Sequence, residues 1–147
     1  MYSSMTGTPR PQDLTTAVLR TADALHRRVA AALAPHGITS QQYNVLRILR
    51  GVHPEPLPTL EIGARMIEQT PGITRLLDRL EAAGLVRRER GGDDRRRVDC
   101  RITAAGRTLL ARTDGPIDEI NRQAVRTLGA AERRSLLQML RQMGDER

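Results

Sequence analysis

Thr70-Pro71-Gly72-Ile73-Thr74-Arg75-Leu76-Leu77-Asp78-Arg79-Leu80-Glu81-Ala82-Ala83-Gly84 is the stretch on which the fold of this chain turns. A threonine N-cap accepts a hydrogen bond from the orphan amides of a helix start, and a proline at the first helical position loses only a donor that has no partner there. Thr70-Pro71 therefore predicts a helix over Pro71–Ala83, and Gly84 its stop. Ile73, Leu76, Leu77 and Leu80 fall at i, i+3, i+4 and i+7, which is one buried stripe; Pro71, Arg75, Asp78 and Arg79 lie on the opposite face. The helix thus turns a polar, arginine-bearing face outward.

After Gly84 the period changes from that of a helix to that of a strand. Leu85–Arg90, the turn Gly91-Gly92-Asp93-Asp94-Arg95-Arg96, and Arg97–Ile102 with Val98, Cys100 and Ile102 on one face read as a two-stranded ribbon around an exposed turn. Between Arg87 and Arg101 stand seven arginines and four acids, a net +3 in fifteen residues. Before the central helix, Thr59 opens a short helical stretch with Leu60, Ile62, Ala64, Met66 and Ile67, which breaks at Gln69. A short helix, a tight turn, a second helix with a polar outer face and a basic hairpin make a winged helix-turn-helix arrangement.

The flanks are helical. Residues 1–12 carry Ser, Thr, Gly and Pro without a period and read as a flexible arm. From Asp13, the residues Leu14, Val18, Ala22, Leu25, Val29 and Leu33 form an amphipathic stripe that Pro35 and Gly37 end. Thr39 or Ser40 caps a second helix that runs to Gly51, and Pro54, Pro56 and Pro58 break the chain into a loop. Thr103 caps a long helix in which Gly115-Pro116 predicts a kink or interruption, and a last helix follows Ala130. The terminal stripes, Leu14 to Leu33 and Leu128 to Met143, are more than one lobe covers, so a symmetric partner is expected to bury them; the alternative is that they pack on each other in a monomer. The class is all-α with a small β-hairpin wing: one domain over 13–147, residues 13–37 and 104–147 forming a dimerisation region around a DNA-binding lobe at 38–103.

Composition names the kind of partner. The 147 residues hold 24 basic and 17 acidic side chains, a net charge of +7, and every basic residue is arginine. A flat guanidinium fork matches phosphates and guanine edges, so nucleic acid leads, although a GC-rich coding bias would also enrich arginine. With no Phe, no Trp and two Tyr, the chain lacks stacking platforms for splayed single-stranded bases, which points to duplex. The longest apolar run, Val29–Ala34, is six residues and the N-terminus is polar, so neither a membrane span nor a signal segment is read and the cytoplasm is the expected compartment. In such a motif the second helix lies in the major groove. Thr70, Pro71, Gly72, Thr74, Arg75 and Arg79 are the candidate contacts there, with Arg75 able to take guanine O6 and N7 in bidentate fashion. The wing contributes Asp94, Arg95, Arg96 and Arg97, a tip suited to the negative potential of the minor groove.

Leu57–Arg112 resembles the DNA-binding lobe of the MarR family of transcriptional regulators, on the text Thr70–Glu81, Gly84-Leu85-Val86, Asp94-Arg95-Arg96, Ile102-Thr103 and Gly106. With the flanking helices the similarity covers about residues 13–143. It implies a homodimer with interlocked terminal helices, two winged lobes on a palindromic operator, and repression relieved by a small ligand or oxidant. It also implies that Arg96 is the wing-tip arginine and that Asp94 orients its fork. Gly72 departs from the small hydroxyl residue common at its place.

The remaining chemistry is sparse. Cys100, the single cysteine, excludes an internal disulfide; on its alternating face it reads as a buried small hydrophobe, with oxidant sensing as the other reading. His26, His36 and His53 show no metal-ligand spacing, and no catalytic constellation or cofactor fingerprint stands in the chain, so no metal, cofactor or enzymatic activity is expected. Relatives hold effectors between the dimerisation helices and the winged lobe. Arg20, His26, Arg27, His36, Tyr43 and Arg47 are the polar candidates for that place, and their arginines suggest an anion. A sequence-specific dimeric repressor is the leading function; a winged-helix protein-interaction module without specific duplex binding is the alternative.

Overall fold

The computed structural model describes residues 7–69 and 71–144. Helix α1 spans Pro11–Leu33, a 3-10 turn covers Ala34–His36, and α2 spans Ser40–Val52. Strand β1 (Leu57–Pro58), α3 (Thr59–Arg65), α4 (Ile73–Ala82), β2 (Val86–Arg90) and β3 (Val98–Ile102) build the central lobe. Helices α5 (Ala104–Ala124) and α6 (Ala130–Gly144) complete the chain.

Local chemistry sets most of these bounds. Thr39 is the N-cap of α2 in a full capping box: its hydroxyl accepts from the Gln42 amide at 3.2 Å while its own amide donates to Gln42 Oε1 at 2.9 Å. Helix α1 starts at Pro11, two residues ahead of the expected order at Asp13, because proline sits at its N-terminus and Arg10 is clasped to Asp13 by two hydrogen bonds of 2.9 Å. The expected arm is shorter by that much, and its first six residues lie outside the described residues. Gly84 ends α4 in the left-handed region at φ 73°, its amide bonding Glu81 O and the Leu85 amide reaching Leu80 O at 3.0 Å. This double closure is a Schellman motif and turns the chain straight into β2.

Three expectations need correction. The helix predicted over Pro71–Ala83 begins at Ile73: Gly72, at φ −111° and ψ 33°, is its non-helical cap, and Pro71 lies in the preceding turn. The preceding loop is held from outside, the Ile67 amide donating to Asn44 Oδ1 of α2 at 2.9 Å, and glycine yields its helical conformation at little cost. Thr70, expected as the cap, lies outside the described residues. The wing is part of a three-stranded antiparallel sheet, order β1-β3-β2, since Leu57 and Pro58 pair with Cys100 and Asp99. The interruption expected at Gly115-Pro116 does not occur: α5 is continuous through Pro116, with Leu110, Thr113 and Ile117 buried on either side of it.

The core lies where α2, α4, α5 and the sheet converge, around Val45, Leu46, Leu49, Ile62, Leu77, Leu80, Cys100 and Leu110. Thr103 knits it to the wing: its hydroxyl accepts from the Gly106 amide and donates to Gly84 O at 2.7 Å. Gly106 approaches so closely that an added Cβ would stand 2.4 Å from Leu85 O. By contrast α6 buries no residue and α1 buries only Leu33.

Candidate nucleic-acid interface

Helix α4 sorts its residues as the 3.6 period requires. Leu76, Leu77 and Leu80 are buried, while Thr74, Arg75, Asp78 and Arg79 are exposed on the other side, with Pro71 exposed just ahead of them. The structure therefore places Thr74, Arg75 and Arg79 together on one outward face, with Gly72 half-buried at its start.

The hairpin carries the second group. Gly91 donates to Arg97 O at 2.8 Å and the Arg97 amide donates to Asp94 O at 3.1 Å, closing a tight tip on which Asp94, Arg95, Arg96 and Arg97 are all exposed. Asp94 acts on the backbone rather than on the guanidinium: its Oδ1 accepts from the Arg96 amide at 3.0 Å. The expected carboxylate-to-fork contact is absent from the Asp94 and Arg96 pairing, because two residues of separation in a turn bring the carboxylate to the peptide N–H first. Arg97 leans back along the strand, Nε donating to Asp99 Oδ1 at 2.7 Å. Among the described residues, no carboxylate pairs with Arg75, Arg79, Arg95 or Arg96, so these four guanidinia remain available to an anionic surface.

The sequence left Glu81 open between an intramolecular ion pair and a phosphate contact and did not single out Arg88; the two form an ion pair that joins the two groups. The Arg88 guanidinium from β2 donates to Glu81 Oε1 at 3.0 Å and to Asp78 Oδ1 at 2.6 Å on α4. That guanidinium, and the Arg88 amide with it, hold the Glu81 carboxyl below its ordinary range.

A cleft of about 350 Å³ opens between α1, α2, α5 and the loop before α4. His26, Tyr43 and Arg47 line it as expected, with Arg47 5.9 Å above the Tyr43 ring as a cation–π pair. Burial pushes the Tyr43 phenol above its ordinary value. Arg20 and Arg27 are not part of its wall; Arg27 pairs with Asp23 on its own helix, and His36 lines a separate groove beside Leu85, Leu109 and Arg112. The polar lining residues not foreseen are Ser40, Gln41, Asn44, Asn121 and Glu68, the last 3.5 Å from His26 Nδ1. Ser40 and Asn44 share the helical face of Tyr43 and Arg47 and could have been found from that period, whereas Glu68 is brought to His26 only by the fold. An anionic occupant thus keeps one of its three proposed arginines and faces a carboxylate.

Cys100 is fully buried on β3, and burial pushes its thiol up to about 11, so at neutral pH it stays protonated and unreactive. Among the described residues no cluster of three or more metal-ligating side chains occurs, and no helix is long and apolar enough to cross a membrane.

The same architecture occurs in known proteins. The MarR family model matches residues 36–97. The chain is 39% identical to the HTH-type transcriptional regulator TtmR of Methylorubrum extorquens, over 97% of this chain and 73% of the relative. It is 30% identical to an HTH-type transcriptional repressor of Mycobacterium tuberculosis, over 86% and 90%. A solved MarR transcription factor from Planctomyces limnophilus superposes with a TM-score of 0.70 at 34% identity, covering 91% of this chain and 97% of that one. Members of this group are regulators of transcription and not enzymes, and on sequence and fold together the chain belongs to the MarR family of DNA-binding transcriptional regulators.

Proposed function

We propose that the protein is a homodimeric, sequence-specific repressor that binds a palindromic operator in double-stranded DNA within the cytoplasm and is released by a small molecule held in the cleft. The observation that carries this reading is the pairing of two arginine-bearing surfaces: the outer face of α4 with Thr74, Arg75 and Arg79, and the hairpin tip with Arg95 and Arg96. Helix α4 fits a major groove, with Pro71 and Gly72 at its entrance; the tip fits the adjoining minor groove, where Asp94 shapes the turn and Arg97 flanks it.

Dimerisation is supported by apolar surface. Leu136, Leu137, Leu140, Met139 and Met143 of α6 and Leu14 and Leu19 of α1 are all 36% or more exposed. A symmetric partner gives them a dry contact, and divides the chain into dimerisation helices, 13–37 and 104–147, and a DNA-binding lobe, 38–103. Repression is supported by the name of the mycobacterial relative. Release is supported by the cleft, whose wall includes Met66, Ile67 and Glu68 immediately ahead of α4.

The test is selection of bound duplexes from a random pool, followed by titration at several salt concentrations. A palindromic winner bound roughly 10³-fold more tightly than random duplex, with a steep negative salt slope, is the expected result. A pool that stays unenriched contradicts it. Arg75→Ala is expected to cost about 1–3 kcal/mol at one base position per half-site and to leave the others unchanged.

A further inference from the structure

Helix α4 is electrically neutral by its own residues, Arg75 and Arg79 against Asp78 and Glu81. A helix entering a groove between two phosphate chains gains nothing from that balance, and its carboxylates are repelled. The compensating charge arrives from the wing. Arg88 Nη2 stands 2.6 Å from Asp78 Oδ1 and 3.0 Å from Glu81 Oε1, Nε donates to the same Oε1 at 3.3 Å, and the Arg88 amide donates to Glu81 Oε2 at 2.8 Å. The Arg88 side chain is only 21% exposed, so water competes for it far less than for the surface pairs along α1. Arg88 stands opposite Cys100 in the sheet, midway along the hairpin and not at its tip.

We propose that Arg88 is a positioning residue for duplex recognition: it staples the wing to α4 and offsets one of the two negative charges of Asp78 and Glu81, so that major-groove and minor-groove contacts form as one rigid unit. This rests on the duplex-binding reading above. Rigid alignment matters because any freedom between the two contact surfaces is lost on binding and subtracts from the affinity. A lysine replaces it only in part, since one ammonium lacks the second nitrogen by which Nε also reaches Glu81 Oε1.

The experiment compares wild type, Arg88→Gln, Arg88→Lys and the exchange of Glu81→Arg with Arg88→Glu. Each is titrated with the duplex enriched from the random pool and with an unselected duplex of equal length at one salt concentration. In parallel, residual dipolar couplings of α4 and β2–β3 amides are recorded without DNA. Arg88→Gln is expected to weaken the selected duplex by about tenfold or more and the unselected one by less than about threefold, with Arg88→Lys between and the exchange recovering part of the loss. The couplings should show α4 and the hairpin each intact but no longer sharing one alignment. Equal losses on both duplexes would mean that Arg88 supplies charge alone, and unchanged couplings in Arg88→Gln would mean that the wing is fixed by other contacts; either overturns the proposal. If wild type enriches no duplex, the duplex reading itself fails, and the couplings still decide whether Arg88 is a staple.

Discussion

Between Ile38 and Thr103 a set of large apolar side chains points inward: Val45, Leu46, Leu49, Ile62, Leu77 and Leu80 have no exposed surface, although Leu60 and Ile67 face outward. In α6 the same residue types, at similar spacing, are buried nowhere. Amphipathic periodicity alone does not separate the two regions, because each has a clean stripe. What separates them is the presence of a facing surface: α2, α4, α5 and the sheet enclose one another, while α6 shows its leucines and methionines to solvent. The lobe is stabilised by its own packing, and the apolar face of α6 is left uncovered within the chain.

The contrast can be broken most forcefully from inside the lobe. Leu77→Ala should cost about 2–5 kcal/mol of unfolding free energy in denaturant titration, as a full cavity opens in a site that is 0% exposed. The matching change outside is Leu140→Arg on α6, 40% exposed. It should halve the mass found by light scattering, through loss of an apolar contact of about 1.5–3 kcal/mol per copy, and leave an isolated 38–103 signal in the amide spectrum unshifted. If Leu140→Arg instead melts the lobe, the two regions are not independent.

Smaller changes sharpen the same boundary. Thr39→Ala removes the cap of α2 and should lower stability by about 1 kcal/mol in thermal unfolding, a local effect that leaves the oligomeric state alone. The smallest effect is that of pH. Because Arg88 lowers the folded-state pKa of Glu81, this pair contributes stability above the ordinary carboxylate value, and that contribution disappears as pH falls through the folded value. Stability curves of wild type and Glu81→Gln should therefore converge in acid and separate toward neutrality.

Much of this molecule was legible in the chain because its lobe is built from local signals. The stripe Ile73, Leu76, Leu77, Leu80, the αL glycine at 84 and the caps Thr39 and Thr103 act within a few residues of themselves. What escaped depends on distant partners. Strand β1 is two residues long with a proline, and it exists only because Cys100 and Asp99 lie alongside as an edge to pair with. The start of α4 moved to Ile73 because Asn44 anchors Ile67 from another helix. Half of the expected cleft residues were misplaced for a similar reason: a helix face was guessed by proximity in sequence, whereas Arg20, Arg27 and His36 turn away from the space that His26, Tyr43 and Arg47 share. Gly106 shows the converse, a residue whose identity was noticed as part of a pattern but whose cause is steric, the carbonyl of Leu85 filling the place of a side chain.

The bond from the Arg96 amide to Asp94 Oδ1 carries one more consequence. It calls for an oxygen acceptor at that place, not for a negative charge, and asparagine presents the same atom with the same reach. The tip can therefore keep its curvature while shedding an anion. In this wing, shape and charge are separable design variables, and the native aspartate sets the first at some expense of the second.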